Sequence, residues 1–339
     1  MAINIGSGIT IGTGIGVGDP PLPSYPVNTV LPAISGTARI GSTLTASTGT
    51  WDNTPISYSY KWQHGTTDIA GATSSTYTLT TYIGETIRCV VTATNGGGSV
   101  AATSADTDKV SAVPTSGLVL YLDPTSTASG YNSTSTVYDI SPANLGGLSW
   151  SGSPTFNASN GGFWQLNSSN QNYINVPAYQ AANAWTNITL AAWVKIGNTT
   201  AIKDILSKEG LYKLRVNADN AVIMVSSNGS SWTVNQTFYF GLDVSTWVLV
   251  AATAGPNGVR GYINKTLYQA DANSFTLGTG ASGKPGVDFN VGAYAYNSNN
   301  NHSGYFNGSL GPVMTWSREL SASEIGEVYD GYKSNYGLS

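Results

Sequence analysis

Apolar residues recur along this chain in short runs, alternating with polar ones with a period of two through the N-terminal third and rich in aromatic and aliphatic residues beyond it, separated by glycine and asparagine, the signature of β-strands joined by tight turns. In the C-terminal two thirds the pattern predicts strands over 118–122, 173–176, 189–194, 211–216, 222–226, 247–252 and 258–263. That many strands over roughly 220 residues suit a two-sheet antiparallel sandwich. The pattern changes once. Ser321 stands three residues before Glu324 as a capping box, and Ile325, Val328 and Tyr329 follow at helical spacing, which predicts a short terminal helix.

Between 27 and 113 the strands are shorter, with turn signals at Gly36, Gly41, Asp52-Asn53, Gly65, Gly71, Gly84 and Asn95-Gly96, a spacing that also reads as a β-sandwich. Residues 1–18 place Ile3, Ile5, Ile9, Ile11, Ile15 and Val17 on one face of an extended arm too short to bury that face alone. We expect another chain or another copy to pair with this arm; packing on its own domain is the alternative. The stretch DPPLPSYP (19–26) reads as a semi-rigid spacer, and VPTSG (113–117) as the boundary before the last domain. The expected organisation is arm and linker 1–26, one domain 27–113, and a second domain 117–339.

Composition supports an all-β chain. Only 9% of residues are charged, against 40 Gly, 20 Tyr and 9 Trp, a mixture that favours strands and turns. A net charge of −4 without clustered Lys or Arg argues against a nucleic-acid partner. The apolar runs are strand-sized, far from the roughly 20 residues of a membrane-spanning helix. The N-terminus lacks the basic start, apolar core and cleavage site of a secretory signal, and the single cysteine, Cys89, has no partner within the chain. Both features lead us to expect folding in a reducing cytoplasm. The Asn-x-Ser/Thr triplets, such as those at Asn132 and Asn187, are no more than this composition produces by chance.

Leu44, Trp62 and Cys89 stand where an immunoglobulin fold places its first inter-sheet residue, its buried tryptophan and its second inter-sheet residue. GSTLTASTGTWDNTPISYSYKWQ and IAGATSSTYTLTTYIGETIRCVVTATNGGGS together resemble an immunoglobulin-like repeat family common in phage and bacterial surface proteins. Ile87 departs from antibody domains, standing where their corner tyrosine would. The last domain resembles laminin-G/concanavalin A-like jelly rolls through GLVLYLDP, VYDIS, ITLAAWVKI, WVLVAATAG and the terminal GYFNGSLGPVMTWSRELSASEIGEVYDGYKSNYG. The combination of arm, repeat and jelly roll is similar to bacteriophage structural proteins. That resemblance implies a virion protein (capsid decoration, head fibre or tail fibre) exposed on the particle surface and assembled in the host cytoplasm. It also implies a homo-oligomer, by analogy with fibres a trimer, held to other virion proteins through residues 1–18.

For chemistry, a glycosidase on such a fold needs two carboxylates facing one sugar. The acidic residues near one another, Asp204 with Glu209 and Glu324 with Glu327, read as solvated faces, and His64 and His302 fall in different domains, so we expect no enzyme. Sugar binding asks for aromatic faces with amide or carboxylate groups in shallow, exposed loops. The segment around Tyr294, Tyr296, Asn297, Asn299, His302 and Tyr305 concentrates these groups; its alternative is a polar hairpin tip with no ligand. Trp150 and Trp232, flanked by Ser and Gly, are further candidates, while Trp193, Trp247 and Trp316 should be core. The expected partners are host or environmental glycans. No cofactor is required. Calcium is the ion the jelly-roll resemblance implies, at Asp139, with Asp123 and Asp288 as neighbours to consider; Asp139 capping a turn is the preferred reading.

Overall fold

The computed structural model describes residues 23–80, 82, 85–126, 129, 135–176, 185–197, 201–209, 211–216, 222–226, 234–238, 246–256, 258–271, 288–295 and 301–338. The proposed arm, 1–18, lies outside them. The chain forms two compact units, the first running to Gly36 and adding Leu44–Tyr77 and Arg88–Asp106, the second comprising Thr37–Thr43, Thr78–Ile87 and Thr107–Ser339.

The first unit is organised on a four-stranded sheet in the order Thr67–Asp68, Ser57–His64, Ile87–Asn95, Gly98–Thr103. Ile87–Asn95 alternates without a break between buried and half-buried positions, as period-two patterning requires of a strand with one face inward. Leu44, Trp62 and Cys89 are all fully buried, as expected, and burial pushes the Cys89 thiol up to about 11. The end of the proline-rich stretch does not stand clear of this unit. Asn95 Nδ2 donates to the Ser24 carbonyl at 2.8 Å and Asn53 Nδ2 to the Tyr25 carbonyl at 2.7 Å. Gly97 is glycine for the same reason, since a Cβ there would collide with the Pro23 carbonyl oxygen.

The second unit is the expected all-β sandwich. One eight-stranded sheet runs Thr155–Asn157, Phe163–Leu166, Gly308–Trp316, Ile188–Ile196, Val248–Gly255, Gly258–Ile263, Thr266–Asp271, with Leu118–Leu122 also pairing Gly308–Trp316. The other runs Thr136–Tyr138, Gly147–Ser151, Tyr173–Val176, Phe289–Val291, Lys203–Lys208, Tyr212–Val216, Val222–Ser226, Val234–Phe238. The strand Ile188–Ile196 explains the arrangement. Leu190, Ala192 and Val194 face the core between the sheets, whereas Ala191 and Trp193 face a second apolar layer. Both faces are covered, so the strand reads as one continuous apolar run.

That second layer is supplied by the C-terminus. The helix Ala322–Asp330 opens with the predicted capping box and buries Ile325, Val328 and Tyr329. Tyr329 and Tyr336 pack on Trp193 with ring centroids 5.6 and 4.7 Å away. Trp193, Trp247 and Trp316 are core, as expected. Among the described residues no helix is long and apolar enough to cross a membrane.

Candidate functional site

The site is built on the outward face of the second sheet. Leu206, Leu214, Val291 and Ile174 point into the core. Their strand neighbours Ser207, Lys213, Asn290 and Asn175 are in register with one another across four strands and therefore share the opposite face, with Arg215 two residues beyond Lys213. A bare outward face would leave these groups in water. Instead Ser207, Lys213 and Asn290 are almost completely buried, and Asp204 is 0% exposed.

What covers them is the segment containing the predicted tyrosines. The chain leaves Phe289–Val291, and Tyr294–Ala295 pairs antiparallel with His302–Ser303. The returning strand lies alongside the start of Lys203–Lys208: Asp204 N donates to the Gly304 carbonyl at 2.8 Å, and Asp204 bridges Tyr305. Gly304 has φ 61°, and a Cβ there would stand 2.6 Å from Asp204 Oδ2 and 2.9 Å from the Tyr294 ring. Only glycine allows so close an approach. The His302 ring stacks on Tyr173 with centroids 3.9 Å apart and makes a 2.9 Å hydrogen bond from Nε2 to Asn290 Oδ1. Burial pushes the His302 pKa down, with Asp288 opposing.

Beneath this hairpin lies an ionic layer. Arg215 gives Nε to Asp204 Oδ1 at 3.1 Å and Nη2 to Oδ2 at 2.7 Å. Lys213 Nζ sits 2.6 Å from Glu209 and 4.0 Å from the centre of the Tyr294 ring. Burial raises the Asp204 carboxyl from its ordinary range, and Arg215 opposes the rise; with both oxygens accepting guanidinium N–H bonds, the ionised form is the one the geometry fits. Burial pushes Lys213 down, against Asp204 and Glu209. The expectation that Asp204 and Glu209 form a solvated face is therefore corrected: the folded-back hairpin removes them from water. Glu324 and Glu327 remain half-exposed and pair with Arg318 and Arg39.

Beside the hairpin opens a cleft of about 540 Å³ lined by Ser168, Ser169, Ala201, Ile202, Lys203, Arg215, Tyr294, Ser303, Gly304 and Tyr305. Of the predicted sugar-binding residues, Tyr294 and Tyr305 line it, and His302 anchors the hairpin that forms its wall. Tyr296, Asn297, Asn299 and Trp232 lie outside the described residues. Trp150 is corrected. It is 8% exposed within the core and packs edge-on against Trp164 at 5.4 Å, because it shares the inward parity of Leu148 on Gly147–Ser151. Arg215, Lys203 and Tyr173 were not singled out by sequence, and Asp204 was read only as part of a solvated face; the alternation of Lys213 and Arg215 with apolar neighbours is the signal that could have found part of this set.

At Asp139 the preferred turn-capping reading holds, and the calcium that the resemblance implies is not supported there. The Asp139 Oδ1 accepts from Tyr121 N at 2.9 Å and Ser141 N at 3.0 Å, and its Oδ2 from Ser141 Oγ at 2.8 Å and Leu145 N at 2.9 Å. A carboxylate so engaged caps a turn and has no lone pair left for a cation. Asp123 is occupied likewise by Thr125 and by the Tyr121 and Tyr332 hydroxyls, and Asp288 by Asn175 Nδ2 at 2.8 Å. Among the described residues no group of three His, Cys, Asp or Glu could hold a metal ion.

Residues 168–326 match the Laminin_G_3 model, described as the concanavalin A-like lectin/glucanases superfamily. The second unit thus carries a concanavalin-like jelly roll in that stretch. Solved structures with a similar arrangement include domain 4 of AbnA, a GH43 extracellular arabinanase from Geobacillus stearothermophilus, in complex with arabinotriose (17% identity, 64% of this chain, 100% of that one, TM-score 0.48). The binding domain of botulinum neurotoxin serotype D/C VPI 5993 matches at 14% identity over 64% of this chain and 52% of its own length (TM-score 0.45). CBM40 of the Ruminococcus gnavus IT-sialidase, bound to alpha2,3 sialyllactose, matches at 19% identity over 44% and 85% (TM-score 0.38). No curated protein matches the sequence.

Proposed function

We propose that the second unit is a non-catalytic glycan-binding module whose site is the cleft between Tyr294, Tyr305 and Lys203. The observation that carries this reading is the juxtaposition, in one cleft, of two half-buried tyrosines, three serines, two cations and the exposed Ile202. Sugars need apolar faces for their C–H surfaces and hydroxyl or charged groups for their oxygens. Among the described lining residues there is no carboxylate, whereas glycoside hydrolysis asks for two.

The wider setting of this module is the surface of a phage particle. The resemblance of the arm, the immunoglobulin-like repeat and the jelly roll to phage structural proteins supports that setting, and the full burial of Leu44, Trp62 and Cys89 supports the immunoglobulin-like reading of the first unit. In it the arm at 1–18 anchors or trimerises the protein, the first unit is a spacer, and the jelly roll meets the host or environmental glycan. The test is glycan-array binding of the full chain beside Tyr294→Ala and Tyr305→Ala, with circular dichroism to confirm folding. We expect at least a tenfold loss of binding in either variant, about the worth of one aromatic contact. Retained adhesion would remove the site assignment. No binding to any glycan by the unaltered chain would leave a purely structural decoration protein.

A further inference from the structure

The cleft carries more chemistry than sugar binding in general requires. The strands Lys203–Lys208 and Tyr212–Val216 hold Lys203, Lys208, Lys213 and Arg215, in a chain that has only 14 basic residues and a net charge of −4. Two of the four, Lys203 and Arg215, line the cleft. They differ from the other two in how they are matched. Lys213 sits against Glu209, and Lys208 is buried, with the charge of Asp288 opposing the fall in its pKa that burial causes. Arg215 spends Nε and Nη2 on Asp204, leaving Nη1 without a hydrogen bond among the described residues. Lys203 has no ion pair among the described residues, although it is only half exposed.

A half-buried lysine without an ion pair and a guanidinium nitrogen without a hydrogen bond, on two residues that line one cleft, set a condition on what fills it. An occupant with neither an anion nor a matched acceptor would strip water from both groups and replace it with nothing, a cost that discriminates strongly against such a ligand. An occupant with an anionic group would make two charge-assisted bonds there. The serines at 168, 169 and 303 and the tyrosine faces remain for the hydroxyls and C–H surface of the same molecule.

We infer that this cleft selects acidic glycans, with the carboxylate or sulfate of the sugar held by Lys203 and Arg215. The inference rests on the glycan-binding reading and narrows it. Asp204 is then a positioning residue. It touches no ligand, and by holding two of the guanidinium nitrogens of Arg215 it presents the third.

The experiment is an array of neutral, carboxylated and sulfated oligosaccharides probed with the full chain and with Lys203→Gln, Lys203→Glu and Arg215→Lys, the last keeping a counter-charge for Asp204. We expect the bound set to be acidic, with carboxylated against sulfated hits identifying the anion. Affinity should fall roughly tenfold in Lys203→Gln and further in Lys203→Glu, and should weaken as salt is raised to about 0.5 M. Thermal unfolding should be unchanged in both Lys203 variants. Neutral sugars bound as tightly as their acidic counterparts, or unaltered binding by Lys203→Glu, would overturn the inference and leave the glycan-binding module standing. An array on which nothing binds would overturn both.

Discussion

Replacing Asp204 with alanine should be among the most damaging single changes that can be made in the jelly roll without touching its apolar core. Asp204 is fully buried and gives both oxygens to Arg215, whose side chain is only 14% exposed. The neighbouring pair, Lys213 with Glu209, is intact and nearly as dry, so in Asp204→Ala one cation of the layer loses its counter-charge with little water to replace it. Breaking a buried pair in this way costs about 3–5 kcal/mol. The residual access of Arg215 to the cleft places the expected loss near 3 kcal/mol. With a urea m-value of about 3 kcal/mol/M, that shifts the unfolding midpoint by about 1 M. Asp204→Asn keeps the shape and one acceptor and should lose about 2 kcal/mol. The double variant Asp204→Leu with Arg215→Met removes both charges and should recover to within about 1 kcal/mol of the unaltered protein. The assay is equilibrium urea unfolding of the full chain, followed by tryptophan fluorescence and far-UV circular dichroism. A midpoint shift below about 0.3 M in Asp204→Ala, or a double variant no more stable than the single one, would refute the reasoning.

Two further predictions concern pH. Glu324 is held at about 2 from an ordinary value of 4.5, chiefly by its bonds to Arg318; a depressed acid contributes stability above its unfolded pKa and loses it as pH falls, so the helix Ala322–Asp330 should weaken between about pH 4.5 and 2. Glu324→Gln should cost roughly 1–2 kcal/mol at neutral pH, after allowance for its partial exposure, and should remove that acid limb from the stability profile. His302 has its pKa lowered by burial, so the fold favours the neutral ring: the contribution is complete above the unfolded value near 6.5 and is lost as pH falls through the lower folded value. NMR of the imidazole should report that depressed value, and glycan binding should decline over the same acidic range; a His302 titrating at 6.5 or above would contradict the stacked, hydrogen-bonded position described for it.

What could be read from the sequence was what depends on near neighbours. The strands at 118–122, 173–176, 222–226 and 258–263 coincide with those observed, and the capping box needed only Ser321 and Glu324. Tyr294, His302 and Tyr305 could be grouped because they lie close along the chain. The ionic layer could not. Asp204 meets Arg215 across a bulged hairpin, and the burial of both comes from a segment some 90 residues later folding across the sheet. Trp150 was misjudged from its Ser and Gly neighbours, when its parity with Leu148 was the better guide. The turn-capping reading of Asp139 held because its donors Ser141 and Leu145 lie close along the chain, although the fourth, Tyr121 N, comes from 18 residues away.

The seating of Ser24 and Tyr25 on the first unit determines where a pull applied from the N-terminal end is felt. Tension along 19–26 does not reach the strand Val27–Val30 first. It meets the carboxamides of Asn95 and Asn53, which grip two successive carbonyls, with the Pro23 carbonyl lodged against Gly97. These contacts fall on three successive residues, Pro23, Ser24 and Tyr25, so a pull transmitted through the backbone must break them before it peels the strand. A protein tethered by that end would therefore resist tugging through a clasp at its neck, and Asn95→Ala would lower the force at which the first unit starts to open without altering the apolar interior behind it.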